Sequence, residues 1–487
     1  MRLGYDEIAA GAGGALEVAP KGENLIATGL TWDSRAVAPG DVYVALPGER
    51  VDGHNFVAAA IAAGASGAIV ARPLDAEVRA AAEAAGAAVV RVPDAERALS
   101  DLARLWRGRL GGVVIGLSGS CGKTTTKNLV RDVLASAFSV VATQANQNNE
   151  LGVPRTILAA DADTRFLVVE MGMRGAGQIA GLCEVVRPDW GIITNIGESH
   201  IELLGSRDNI ARAKGELLGA LPRGRGKAFL NGEDDYFDFL VEHAGLESRG
   251  VEVVRCQGSA PAAPEAAGPA VWAEDARLDA QGRPTFTLCA RGVGEAGAAI
   301  ERTACSLELR GLHNVGNACI AAAVGLAAGM PLEQVAGALA GARPESGRLE
   351  VIASARGLTL VNDAYNANPD SMRASLATFC ALEVAGRRVA VLGDMGELGD
   401  HAPACHERVG AYAATLPLDR LLCVGDLARH IASAARAAGM PPERVACVAS
   451  VEEALADLQA WLAPGDAVLA KASHFMGLER IVEGLVG

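Results

Sequence analysis

Along this chain the apolar residues follow two rhythms: short unbroken runs that suit buried strands, and stripes at a 3.6-residue repeat that suit helices. In the first ~90 residues a run from Asp41 to Leu46 ends at Pro47-Gly48, and an Ala-rich helical stretch from Phe56 to Ala63 follows. This predicts a small α/β domain. A stripe through Leu99, Leu102, Leu105, Trp106 and Leu110 predicts a helix leading over Gly111-Gly112 into the strand run Val113-Val114-Ile115. Beyond it, Val140 to Thr143, Phe166 to Glu170, Gly191 to Ile196 and Ala228 to Asn231 each read as an apolar strand ending in polar residues, with helical segments between them. That alternation predicts a mainly parallel sheet covered on both faces.

The Ala-, Pro- and Gly-rich stretch from Ser259 to Ala270 predicts a mobile loop, and Val271 to Leu278 with Thr285 to Cys289, turning at Gln281-Gly282, a hairpin. Ala342 to Gly347 breaks a helical pattern and marks a hinge. A third alternating series follows, with strands at Leu358 to Asn362, Val389 to Leu392, Leu421 to Val424 and Ala467 to Ala470. The expected fold is therefore α/β in three domains: a small one over 1–93, a central parallel-sheet P-loop ATPase domain over 94–343, and a doubly wound, Rossmann-like domain over 344–487.

A chain of 487 residues, half of them apolar, can bury several cores. Its formal charge of -14 disfavours a broad nucleic-acid surface, so an anionic ligand must be met locally. The ten cysteines show no CxxC spacing, which argues against a zinc cluster or a secreted disulfide framework and fits a reducing cytosol. Asp6 and Glu7 stand where a signal peptide would be basic, and apolar runs such as Ala318 to Met330 are too short to span a membrane. We expect a cytoplasmic monomer.

The strongest motif is Gly119-Ser120-Cys121-Gly122-Lys123-Thr124-Thr125, between a strand ending at Leu117 and a helix with Leu129, Val130, Val133 and Leu134. A glycine turn at a helix N-terminus aims backbone N–H groups at phosphate oxygens; Lys adds charge, and the next hydroxyl reaches Mg²⁺. The usual GxxxxGK form wants Gly at 117, where this chain has Leu, so the loop is a shortened variant. The plain alternative is a glycine turn without a ligand. Cys121 inside the loop reads as a space-filler.

Glu170 ends one predicted strand, and His200 follows another by a few residues. Strand ends of a parallel sheet share one crevice, so both can converge with Thr124 on a metal, and phosphoryl transfer is served by two such ions. Lys214 falls on the apolar stripe of a predicted helix from Asn209 to Leu221, at i+4 from Ile210. Two readings stay open: a lysine snorkelling to water, or a desolvated amine with a lowered pKa that adds carbon dioxide and becomes an anionic carbamate.

His313-Asn314-Val315-Gly316-Asn317 precedes an Ala-rich helix; its Asn side chains suit an adenine edge, and an N-cap accounts for one of them as well. Between Asn362 and Met372, capping and turn chemistry absorb Asp370 or Ser371 but leave Asp363, Tyr365, Asn366 and Asn368 as ligand candidates.

Together these residues resemble the Mur ligases, amide-forming enzymes of peptidoglycan precursor synthesis, over essentially the whole chain. The resemblance rests on the shortened phosphate loop, Asn146 to Gly152, the run ending at His200, and Ala213-Lys214-Gly215-Glu216. Tyr365 to Pro369 and Gly393 to Gly399 look like the branch that joins D-alanyl-D-alanine to a UDP-linked muramoyl tripeptide, as do Asp33-Ser34-Arg35, Gly48, Asp52, Gly53 and His54. It implies that Lys123 and Thr124 meet the ATP phosphates and Mg²⁺, that Glu170 and His200 hold metal, and that Lys214 is carbamylated. It implies further that Asn314 and Asn317 contact adenine, that Arg348 reaches the nucleotide from the third domain, and that Asp363 is catalytic. Ser34, Arg35, His54, Asn146, Asn149, Tyr365, Asn366 and Asn368 would bind the UDP-linked peptide or the dipeptide. Two departures stand out: Asn362-Asp363 where a double Asp is common, and Lys471-Ala472-Ser473 where Lys-Gly-Ser is usual. Rival readings are a sibling Mur enzyme, a folylpolyglutamate synthase, or a slow ATP-hydrolysing switch.

Overall fold

The computed structural model describes residues 1–48, 51–260, 268–294 and 299–487. Three sheets carry the fold. The first orders its strands 15–18, 88–91, 67–70, 41–44 and 29–31, parallel except for the first pair. In the second, seven strands from 140–142 to 270–278 run parallel, and an antiparallel ribbon of 284–291 and 301–306 closes one edge. In the third, strands 359–362, 467–471, 388–393, 420–424 and 445–448 are parallel, beside one antiparallel edge strand at 350–353. The predicted hairpin forms, with a bulge between Glu274 and Arg277. Most of the expected mobile loop lies outside the described residues.

Alternation along each strand explains why the runs read as continuously apolar. In the second sheet Leu167 and Val169 face one core while Phe166 and Val168 face another; in the third, Ala390 and Leu392 oppose Val389 and Val391. Both faces are covered, as a parallel sheet requires. One of these cores is continuous from Leu3 and, in the first sheet, Val44 through Leu167 to Leu392 in the third.

The helix Ala95–Arg107 sits at the join of the first two units, with Asp94 capping its start through Glu96 and Arg97 N–H. Its Trp106 Nε1 donates to the Ala160 carbonyl at 2.8 Å. Among the described residues no helix is long and apolar enough to cross a membrane.

In the second sheet the strand Val113–Ser118 lies between Phe166–Glu170 and Trp190–Ile193, so chain order reverses there. Crevices for ligands open at such a switch point, beyond the carboxyl ends of the strands.

Candidate active site

The loop after Val113–Ser118 is shaped by two glycines. Gly119 has φ +153° and presses on Thr194, where any Cβ would strike the threonine hydroxyl; Gly122, at φ +74°, is the N-cap of the helix Lys123–Ala135. Ser120 and Cys121 N–H donate to the Asn195 carbonyl (3.0 Å) and Asn195 Oδ1 (2.8 Å), which fixes the loop's path. Lys123 curls over it, its Nζ donating to the Gly119 carbonyl at 2.8 Å. Burial lowers the pKa of that ammonium, with Glu170 pulling the other way.

Thr124, Glu170 and His200 converge as the strand ends predicted: all three line one cavity of about 850 Å³. Thr124 Oγ1 stands 3.5 Å from Glu170 Oε1, and Asn148 Nδ2 donates to the same oxygen at 2.9 Å. Glu170 Oε2 is buried and has no partner. A buried carboxylate oxygen without a donor is costly, so the place suits a cation. Among the described residues no three His, Cys, Asp or Glu side chains cluster as a self-sufficient metal cage. Thr124, Glu170 and His200 therefore fit an ion whose remaining ligands come from phosphate oxygens and water, the habit of Mg²⁺.

Lys214 lies on the helix Arg207–Gly219, which Ser206 caps. It is 1% exposed, which excludes the snorkelling reading. Its Nζ donates to the Gly119 carbonyl at 2.9 Å and does not line the cavity. Burial, and then the nearby Lys123 charge, drive its pKa well below the usual lysine value.

The third sheet closes the other side. Arg348 Nη2 donates to Thr124 Oγ1 at 3.0 Å, and its guanidinium lies 4.3 Å from the centre of the Tyr365 ring. Asp363 accepts from Lys471 Nζ (2.6 Å) and Leu349 N–H (3.1 Å), a buried lysine and a hinge amide. Ala472, where glycine is usual, packs against Gly393, whose missing side chain leaves the room.

Asn368 corrects the expectation that capping leaves it unused. It is the N-cap of the helix Pro369–Ala381, accepting from Ser371 N–H, while its Nδ2 donates to Ser199 Oγ at 2.8 Å and to Cys121 Sγ. Cys121 is thus a contact between domains as well as a filler. Asn366 Oδ1 accepts from its own neighbour, Ala367 N–H.

Asn314 and Asn317 line the cavity, and neither is an N-cap: that position belongs to Leu312. Asn314 Nδ2 donates to the Arg310 carbonyl, and Asn317 bridges Asn314 Oδ1 and the Thr126 hydroxyl. Ser120, Gly122, Thr125, Asn146 and Asn149 also line it, although Asn149 Oδ1 is occupied by Leu151 and Gly152 N–H.

Ser34, Arg35 and His54 do not line this cavity. Arg35 is exposed and paired with Asp33. Both His54 nitrogens serve the fold: Nε2 accepts from Ala71 N–H, leaving Nδ1 to donate to Asp52 Oδ1 at 2.7 Å.

Sequence reasoning missed three contributors. Asn148 sits inside the quoted Asn146 to Gly152 run and holds Glu170. Glu397 places Oε2 2.7 Å from His200 Nδ1, close but poorly aligned as a hydrogen bond, and lies near Arg174 as well. Lys471 carried a visible signal, a lysine ending an otherwise apolar strand.

Comparison with known proteins places this geometry. The Mur ligase middle domain matches residues 117–325, the Mur ligase glutamate ligase domain 347–474, and the Mur ligase family catalytic domain 27–107. The UDP-N-acetylmuramoyl-tripeptide–D-alanyl-D-alanine ligase of Mycobacterium leprae is 39% identical, covering 98% of this chain and 96% of its own. The crystal structure of MurF from Acinetobacter baumannii superposes with a TM-score of 0.82 at 31% identity, covering 100% and 99% of the two chains. MurF ligase from Thermotoga maritima in complex with ADP gives 0.74 at 26% identity over 96% and 98%. With these matches spanning all three sheets, the chain belongs to the Mur ligase family.

Proposed function

We propose that this chain is an ATP-dependent amide ligase that joins D-alanyl-D-alanine to the terminal carboxylate of UDP-N-acetylmuramoyl tripeptide in peptidoglycan precursor synthesis. The observation that carries the reading is the meeting in one cavity of the phosphate loop, the Thr124–Glu170 pair and a third-domain face bearing Arg348, Tyr365 and the Asp363–Lys471 pair. One-domain hydrolysis of ATP needs no such second wall; coupling it to an acyl acceptor does.

A carboxylate is a poor acyl donor. Phosphorylation by ATP makes an acyl phosphate, and the dipeptide amine then displaces phosphate through a tetrahedral intermediate. The loop N–H groups, Lys123 and Arg348 bind and orient the phosphates and offset the charge that grows on them. Thr124, Glu170 and His200 would hold Mg²⁺, which supplies further charge neutralisation when bound. A second ion is part of the proposal, served by Lys214 as a carbamate; its support is a buried amine whose pKa burial drives well below the usual lysine value, which favours the neutral form that adds carbon dioxide. Asn314 and Asn317 are assigned to adenine, Asp363 to positioning Lys471, and Asn146, Asn149, Tyr365, Asn366 and Asn368 to the peptide and dipeptide. Ser34, Arg35 and His54 are assigned to the UDP-bearing end, with His54 acting through Asp52. Domain limits near 93 and 343, and a monomer working in the cytoplasm, complete the proposal.

The test is ADP release measured over a panel of UDP-muramoyl peptides, with and without D-alanyl-D-alanine, together with hydroxylamine trapping when the amine is left out. We expect sustained release to require both substrates, and hydroxylamine to stand in for the missing amine, giving a hydroxamate with ADP. AMP release would overturn the acyl-phosphate route, preference for another amine would make the chain a sibling ligase, and equal turnover without substrates would make it a nucleotide switch.

A further inference from the structure

Ten cysteines are all among the described residues, and Cys447 is the exposed one. It lies on Val445–Val448, the outer strand of the third sheet, directly opposite Cys423 on Arg420–Val424 in a parallel register. Residues paired this way point to the same face, here the face covered by the helix Ala428–Ala437. Neighbouring strands run about 4.8 Å apart, inside the Cα range of roughly 4.4–6.8 Å that a disulfide spans. Cys423 is fully buried.

Arginine gives the pair its asymmetry. Arg436 is tied down over the edge strand by donating to the Val445 carbonyl at 2.8 Å, which brings its charge beside Cys447. Arg429 adds to that field, partly offset by its own ion pair with Asp426. The Cys423 thiol opposite it and these guanidiniums bring the Cys447 pKa down to about 6, whereas Cys423 is pushed well up. Elsewhere burial raises the thiols, to about 12 at Cys183 and about 11 at Cys380. Thiolate character and access decide which cysteine meets an oxidant.

We propose that Cys447 and Cys423 form a thiol–disulfide couple, in which exposed Cys447 reduces a hydroperoxide and buried Cys423 resolves the product. In the first step the Cys447 thiolate attacks the peroxide O–O bond; sulfur is oxidised to a sulfenic acid and the oxygen fragment leaves as alkoxide or hydroxide, taking a proton. In the second, Cys423 sulfur displaces water from that sulfenic acid. The sum is two thiols and one hydroperoxide giving one disulfide, one alcohol or water, and one further water. A dithiol reductant reverses it by exchange through a mixed disulfide.

The full chain is treated with stoichiometric hydrogen peroxide and mapped without reduction. We expect a Cys423–Cys447 cross-linked peptide, lighter by two hydrogen atoms and lost after dithiothreitol. Cys423→Ser should stop at the first step, leaving a Cys447 sulfenic acid that dimedone captures. Cys447→Ser, a surface change that spares the core, should leave Cys423 unmodified. Independently, iodoacetamide labelling of Cys447 in the unsubstituted chain should rise with a midpoint near pH 6. A midpoint near the ordinary thiol value of about 8.5, a persistent Cys447 sulfenic acid without cross-link, or oxidation of Cys423 in Cys447→Ser each overturns the proposal.

Discussion

Arg348 Nη2 donates to Thr124 Oγ1 across 3.0 Å, which joins the first residues after the hinge to the first turn of the phosphate helix. The same guanidinium stacks over Tyr365. Arg348→Ala should therefore lower kcat/KM for ATP by roughly 10²-fold, the scale of one lost donor to a transferring phosphoryl group. Arg348→Lys should recover little, because an ammonium neither stacks on the ring nor forks. Steady-state kinetics of both variants check this; near-normal activity in the lysine variant removes the stacking argument.

Lys123→Ala should cost roughly 10² to 10³ or more in turnover. Its bonds run to the Gly119 and Ser120 carbonyls and not into an apolar core, so its thermal midpoint should stay close to that of the unsubstituted protein. Calorimetry beside the ADP assay separates lost chemistry from lost fold.

Glu397→Gln removes the charge facing His200 while keeping the shape. Partners that orient a metal-binding histidine are usually worth about 10- to 100-fold. We expect that loss in Mg²⁺ affinity, read by isothermal titration with a non-hydrolysable nucleotide, with little change in nucleotide binding when Mg²⁺ saturates. An unchanged Mg²⁺ affinity would leave Glu397 as a domain contact alone.

Lys214→Ala should lose most activity, and acetate or formate, filling the space with an anion, should restore part of it. No rescue by either acid, with a bare amine seen in a nucleotide- and metal-loaded crystal, would leave Lys214 as a brace for Gly119 only.

His406 gives the protein an acid limit. It is fully buried, its Nε2 accepting from Met395 N–H at 3.0 Å and its Nδ1 meeting the Ala402 carbonyl at 2.7 Å, so the neutral ring is the one that fits. Burial holds its pKa below the ordinary 6.5. The unfolded chain therefore takes up a proton first as pH falls past 6.5, and stability present above that value is lost progressively toward the folded pKa. His406→Gln should flatten that part of the denaturation-midpoint curve against pH, at some cost near neutrality.

The sheets and the phosphate loop were legible because their signals are local. Phe166–Glu170 was delimited to the residue, since both its faces are buried and its end is polar. Trp190–Ile193 stopped short of the predicted Ile196, because Asn195 turns its carbonyl and side chain to the phosphate loop instead of to a neighbouring strand. The cap that Asn368 makes on Ser371 is local and open to a spacing rule, but its contact with Cys121 and the roles of Glu397 and Asn148 were hidden for a different reason: each depends on a partner 22 to 247 residues away in the chain, and no spacing rule reports such a meeting. Lys214 could be placed on an apolar stripe from sequence, yet only the packing of its helix against the loop decided between water and burial.

His200 and Glu397 face each other with φ of +65° and +60°, both outside the region where residues with side chains rest easily. Such backbones cost of the order of 1–3 kcal/mol each, less for His than for most, and they are held in place only by what surrounds them. Glu397 is gripped from the central domain, its carbonyl accepting from Glu202 N–H and its carboxylate beside His200. The joint is thus a loaded clasp. Each side of the contact between the second and third domains thus carries a strained backbone, which lowers the net stability of that contact.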